Sequence, residues 1–165
     1  MHKLILALTL VLSSAGAYSW SEEQATISSD WVVIHAKGGF EFSVPPGTVD
    51  QKAQGIDSAV GRFTGTGFEL SYDYGWYSNP LDDKRYQRVE EKVDARTCFV
   101  ATGDGFVGVY FPAVYAWDPT IKLQVSIKLS GMDKDAALRV IRSVRFPFEQ
   151  TQKVPVKRTG NTEGK

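Results

Sequence analysis

Residues 54–78 read QGIDSAVGRFTGTGFELSYDYGWYS, and this stretch contains the pattern that decides the fold. Hydrophobic and polar residues alternate over residues 68–74, which is typical of a strand with one buried and one solvent-facing side. A second extended run precedes it at residues 58–64, and Gly65 and Gly67 lie between the two runs. Since glycine adopts positive φ without strain, the stretch predicts a β-hairpin.

Similar short runs flank this hairpin, and one helical pattern follows them. The further predicted strands are residues 31–36, 40–44, 88–92, 97–101, 106–111 and 121–129. The charged run at 88–92 also suits an exposed helix, but a turn-like segment follows it and favours a strand. From Asp133, a good N-cap, apolar residues recur at helical spacing through Val144. The sequence therefore predicts an α+β domain over residues 31–148, with an antiparallel sheet of about seven strands packed against a C-terminal amphipathic helix.

The start of the chain has the features of a secretory signal peptide over residues 1–17. A weakly basic start precedes an apolar run at residues 4–12, and Ala15-Gly16-Ala17 fits the small-residue cleavage rule. We therefore expect export, to the periplasm or the medium. Residues 18–30 are predicted to be a flexible lead-in, and residues 149–165, which are poor in apolar types, a disordered tail.

The charge balance gives no electrostatic argument for a polyanionic partner. The chain has 19 basic and 19 acidic residues, and removal of residues 1–17 takes away only Lys3, which leaves a net charge of −1. Near-neutral charge argues against nucleic acid as a partner. After residue 17 no stretch is long and apolar enough to span a bilayer, so an integral membrane protein is not expected.

The cysteine and histidine content limits the chemistry. Cys98 is the only cysteine, so no intramolecular disulfide can form, and its strand-like context predicts a small buried hydrophobic residue. His35 is the only histidine after residue 17 and is interpreted as a strand residue. With one cysteine and one histidine, neither a structural zinc site nor an activated cysteine is expected. No cofactor and no metal site are predicted.

Two carboxylates suggest one candidate chemistry. Asp57 and Asp73 would form a pair for acid–base hydrolysis if their side chains converge. The alternative is structural: Asp57 would make an Asx-type turn, and Asp73 would pair with a basic side chain such as Arg62 across the hairpin.

Aromatic residues suggest a second candidate site, one for binding. Trp76 and Tyr77 follow Asp73 and Tyr74 at the strand end, and Trp117 with Tyr115 lies on a later loop. Such rings form a stacking platform for a sugar, a peptide or a partner protein. The alternative is that they close the core at the end of the sheet.

Two sets of motifs resemble known proteins. The segment FEFSVP at residues 40–45 and the segment ALRVIRSVRF at residues 137–146 resemble the two ends of PsbP-like domains. In addition, QGIDS at residues 54–58 and YDYG at residues 72–75 resemble motifs of a group of small exported bacterial proteins. The resemblance implies an α+β fold and an extrinsic assembly or binding role rather than catalysis. We therefore expect an exported, non-enzymatic binding or assembly-accessory module, with a cofactor-free hydrolase as the alternative.

Overall fold

The computed structural model describes residues 30–147. The predicted signal peptide, nearly all of the predicted lead-in and the predicted tail lie outside these residues. The elements are β1 (Val32–His35), β2 (Glu41–Val44), β3 (Val49–Asp50), β4 (Ala59–Gly65), β5 (Phe68–Gly75), β6 (Gln87–Val93), β7 (Arg96–Gly103), β8 (Phe106–Phe111), β9 (Lys122–Leu129) and α1 (Lys134–Arg142).

Seven of these strands form one antiparallel sheet in the order β3-β4-β5-β9-β8-β7-β6. The prediction of a mainly antiparallel sheet with one helix is thus confirmed, and the segment around residues 88–92 is a strand. One of the seven strands, β3, was not predicted from the sequence. The two earliest predicted strands are also present, but they pair with each other in a separate two-stranded sheet, β1-β2. A prediction of strands from local pattern does not distinguish these two arrangements.

The predicted hairpin is β4–β5, joined by a turn at Thr66 and Gly67. Gly67 has a φ of 77°, so its position favours glycine. Gly61 serves another purpose, since it is paired with Tyr72 and a Cβ at this position would overlap the tyrosine ring. The glycine therefore makes room for an aromatic side chain of the core face.

The core lies between one face of the large sheet and the layer formed by α1 and the β1–β2 hairpin. Leu123, Val125 and Ile127 of β9 are fully buried, as the alternating pattern of that strand predicts. Helix α1 contacts β2, β8 and β9, and its residues Ala137, Val140 and Ile141 are buried in the same core. Asp133 is the N-cap, as predicted, and its carboxylate accepts a hydrogen bond from the backbone of Ala136.

The opposite face of the sheet is partly covered by the connection between β5 and β6. These strands lie far apart in the sheet, so residues 76–86 must cross the strands between them. Leu81 is buried there against Ala101 and Tyr110. Tyr86 stacks on Phe106, with 4.4 Å between ring centroids. The crossing segment thus forms a small second core, and it begins with the aromatic residues at the end of β5.

Candidate functional site

The strand β5 ends in a short loop that presents two aromatic rings. Trp76 is 61% exposed and Tyr77 is 79% exposed. Gly75, just before them, packs tightly on Ser58, because a Cβ on the glycine would lie 2.9 Å from the serine Cβ. Exposure of this extent means that the two rings do not close the core, which was the alternative interpretation of the sequence.

Ser78 holds the base of this loop in place. It is buried, and its hydroxyl oxygen lies 2.8 Å from the carbonyl oxygen of Asp73 and 3.3 Å from those of Gly75 and Lys122. These carbonyl groups belong to the end of β5 and the start of β9. One hydroxyl therefore ties the returning loop to two neighbouring strands, and the rings project from a backbone that is fixed on both sides.

The other side of the site comes from the end of the β8–β9 loop. Asp118 organises it, since its Oδ1 accepts hydrogen bonds from the backbone N–H of Thr120 at 3.0 Å and from the hydroxyl of Thr120 at 2.6 Å. Lys122 joins the two sides, because its Nζ donates a hydrogen bond to the carbonyl oxygen of Trp76 at 3.0 Å. The two loops thus form one surface.

Between these loops lies an open cleft of about 430 Å³. We call it the aromatic cleft and define it by its lining residues, which are Trp76, Tyr77, Pro119, Thr120 and Lys122. Its walls are mainly apolar. Of its polar side-chain groups, the indole N–H of Trp76 and the ammonium group of Lys122 only donate hydrogen bonds, while the hydroxyls of Tyr77 and Thr120 can donate or accept. A cleft of this kind binds apolar or ring-shaped groups and orients them with a few hydrogen bonds.

The other predicted aromatic residues form a neighbouring feature. Trp117 is 66% exposed and stacks on Tyr115, with 4.9 Å between ring centroids, but it does not line the aromatic cleft. Tyr74 lies on the core-facing side of β5, where it stacks on Phe40 and donates a hydrogen bond to the hydroxyl of Tyr115 at 3.2 Å. Burial, and secondly this hydrogen bond, raise the pKa of Tyr74. Tyr74 therefore connects the Tyr115–Trp117 stack to the core through its hydrogen bond to Tyr115.

Asp73 lies on the face of β5 opposite Tyr74, as the alternation predicts. Its side chain is opposite Gln124 of β9 in the register. Its Oδ1 atom is buried and accepts no hydrogen bond from the described part of the chain. The proposed pairing with Arg62 is wrong, because Arg62 lies 3.6 Å from Glu69, its diagonal neighbour on the same hairpin. The contribution of Asp73 to the loop is its backbone carbonyl group, which Ser78 binds.

The two carboxylates of the alternative hydrolytic chemistry differ in their exposure. Asp57 is exposed in the turn before β4, whereas Oδ1 of Asp73 is buried. Cys98 is fully buried, as predicted, and burial is the main cause that raises the pKa of its thiol to about 12. His35 is exposed and lies 3.2 Å from Glu41. Cys98 and His35 therefore lie apart, Cys98 inside the core and His35 at the surface.

The sequence did not indicate three residues of the cleft. Pro119 and Thr120 lie in a loop with no distinctive motif, and the alternation of residues 121–129 predicts only that Lys122 lies on the solvent-facing side of its strand. Their position opposite Trp76 follows from the pairing of β5 with β9, which brings Gly75 next to Lys122. The only sequence signal was the amphipathic alternation of both strands, which does not specify their pairing.

Comparison of the chain with protein-family models, with curated proteins and with solved structures found no match. The resemblance to PsbP-like domains stays a prediction. Within the described range, no group of three or more histidine, cysteine, aspartate or glutamate side chains is arranged to hold a metal ion. No helix among the same residues is long and apolar enough to cross a membrane.

Proposed function

We propose that this protein is an exported, non-enzymatic binding or assembly-accessory module that holds its ligand at the aromatic cleft. The observation that carries the proposal is the presentation of Trp76 and Tyr77 on a loop anchored by Ser78. Rigid, exposed aromatic side chains give a large contact area and lose little conformational entropy on binding. Exposed apolar surface that is rimmed by polar residues is typical of interaction sites.

Two sequence features support the exported location and the non-catalytic role in this proposal. The pattern of residues 1–17 favours export, and the resemblance to PsbP-like domains favours an extrinsic, non-catalytic role. The partner class predicted from the sequence is a protein, a peptide or a saccharide. Each of these offers groups that stack on aromatic rings.

Mutation of the cleft tests the proposal. The natural partner should co-purify with the tagged wild-type protein from the periplasm or culture medium of the native host, and it should be lost with Trp76→Ala. Trp117→Ala is the matched control, because it removes another exposed indole that lies outside the cleft. Equal recovery of the partner with Trp76→Ala and the wild type would exclude the cleft as the binding site.

The hydrolase alternative has one observation in its favour, namely the buried Oδ1 of Asp73 that lacks a hydrogen-bond partner among residues 30–147. General acid–base catalysis also needs a second group within reach of the same substrate. Asp57 is exposed, whereas Oδ1 of Asp73 is buried, so the two carboxylates are not equally open to one substrate. The geometry therefore supports binding better than hydrolysis.

A further inference from the structure

The polar groups of the aromatic cleft restrict what it can bind. The indole N–H of Trp76 and the ammonium group of Lys122 are donors only, and the Tyr77 hydroxyl can also donate. Among the lining residues that the structure describes, the carbonyl oxygen of Trp76 is already engaged by Lys122, and no carboxylate or amide side chain lines the cleft. A complementary ligand therefore offers acceptors and apolar surface, and it needs few acceptors in return.

Backbone pairing cannot supply the binding energy at this position. The cleft lies at the ends of β5 and β9, and each of these strands already pairs on both sides, β5 with β4 and β9, and β9 with β5 and β8. A peptide added as a further strand needs a free strand edge. A ligand at the cleft must instead be recognised through its side chains and its carbonyl groups.

We infer that the aromatic cleft binds a proline-rich peptide segment in the polyproline II conformation. This inference rests on the proposed function and names its ligand class. Proline residues have no backbone N–H, and a polyproline II helix has no internal hydrogen bonds, so its carbonyl groups are free to accept. Its pyrrolidine rings pack on aromatic rings, and its conformation is largely formed before binding.

The alternatives fit the cleft less well. An oligosaccharide carries many hydroxyl groups that each need an acceptor as well as a donor, and among residues 30–147 no carboxylate or amide side chain lines the cleft to accept from them. A helical peptide uses its carbonyl groups within the helix, except in its last turn, so it offers few of them to the indole of Trp76. The proline-rich segment is the ligand whose hydrogen-bonding groups match those of the walls.

Isothermal titration calorimetry of the full exported chain with decaproline tests the inference, with a glycine-serine peptide of equal length as the control. We expect saturable binding of decaproline and none of the control. Trp76→Ala should weaken binding by about tenfold or more, while Trp117→Ala should change it by less than about twofold. Trp76→Phe should fall between Trp76→Ala and the wild type, because it keeps a ring but loses the indole N–H.

Absence of decaproline binding, equal binding of the control peptide, or a larger effect of Trp117→Ala than of Trp76→Ala would overturn the inference. A β-1,4-linked hexasaccharide of glucose or N-acetylglucosamine separates this failure from failure of the proposed function. Saccharide binding that depends on Trp76, without decaproline binding, would refute the peptide ligand and leave the binding module intact. If the natural partner co-purifies equally well with Trp76→Ala and with the wild type, the proposed function itself is refuted.

Discussion

The backbone N–H of Phe146 donates a hydrogen bond to Oδ2 of Asp94 at 2.8 Å, across 52 positions of sequence. Asp94 lies in the tight turn between β6 and β7, where its φ is 50°. The same carboxylate oxygen lies 2.9 Å from the guanidinium group of Arg96, and both side chains are largely buried. One carboxylate therefore joins the edge of the large sheet to the segment that follows the helix.

Two replacements of Asp94 should distinguish the effect of its charge from that of its hydrogen bond to Phe146 and its positive φ. Asp94→Ala should lower the free energy of unfolding by about 2–4 kcal/mol, because it breaks a partly buried ion pair and places alanine at a positive φ. Asp94→Asn should cost less, about 1–2 kcal/mol, since its oxygen still accepts from Phe146 and asparagine tolerates this φ. Urea denaturation measures both values. An equal cost for the two variants would show that the charge alone matters.

The thiol of Cys98 should react slowly in the folded protein. It is buried, and the pKa of about 12 leaves almost no thiolate at pH 8. A chromogenic disulfide reagent should therefore label the native chain orders of magnitude more slowly than the chain unfolded in guanidinium. Labelling of the native protein at the rate of the unfolded one would show that Cys98 is accessible, contrary to its position between the sheet and the helix.

The same burial predicts a loss of stability in alkaline solution. The pKa of Cys98 is higher in the folded chain than in the unfolded chain. Its contribution to folding stability is therefore complete below about pH 8.5 and is lost as the pH rises towards about 12. Burial also raises the pKa of Tyr72 and Tyr110, so they act in the same direction. Titration of Cys98 alone should lower the free energy of unfolding by at most about 1.4 kcal/mol per pH unit.

Urea denaturation between pH 8 and pH 10.5 measures this effect. Cys98→Ala should have a flatter dependence of unfolding free energy on pH than the wild type, because the variant lacks the titrating thiol. Parallel curves for the two proteins would mean that the thiol does not titrate differently in the folded and unfolded chains.

Helix α1 should be essential to the core. Ile141 is fully buried, so Ile141→Ala removes packed volume and should lower the free energy of unfolding by about 2–4 kcal/mol. Lys134→Ala is the control, since Lys134 lies in the same helix and is exposed, and it should change stability by no more than about 0.5 kcal/mol. Chemical denaturation of both variants measures the difference. A small effect of Ile141→Ala would mean that the sheet does not depend on the helix.

Local patterns predicted the individual elements because period and capping act over a few residues. The alternation in β9 and the N-cap at Asp133 are examples, and both are confirmed. The order of the strands was not predictable in this way, because pairing of β5 with β9 joins residues such as Asp73 and Gln124 that are far apart in sequence. Alternation specifies the buried face of a strand and leaves its neighbour undetermined.

The candidate site was predictable in part for the same reason. The aromatic residues at the end of the predicted strand indicated a stacking surface, and the loop there presents Trp76 and Tyr77 to solvent. Lys122 lines the cleft only because β9 is adjacent to β5. Leu81 was equally hard to interpret, since one apolar residue in a charged connector gives no period, yet it is buried on the back of the sheet.

Ser78 and Trp76 should have opposite roles, one in stability and one in binding. Ser78→Ala removes a buried hydroxyl that lies close to three carbonyl oxygens, so it should cost about 1–2 kcal/mol of unfolding free energy. Trp76→Ala should change stability by no more than about 0.5 kcal/mol, because most of the ring is exposed. Thermal melting measures both effects before any ligand is known.

Binding should show the reverse order. Trp76→Ala should lower the affinity for the ligand by about 2 kcal/mol or more, the value of an interface hot spot. Ser78→Ala keeps both rings and should lower it by only about 0.5–1.5 kcal/mol, the cost of ordering a loosened loop. Asp73→Asn should have a smaller effect still, because its backbone carbonyl, which Ser78 binds, is unchanged. A large fall in melting temperature with Trp76→Ala would mean that this ring supports the fold, and the binding role assigned to it would then be wrong.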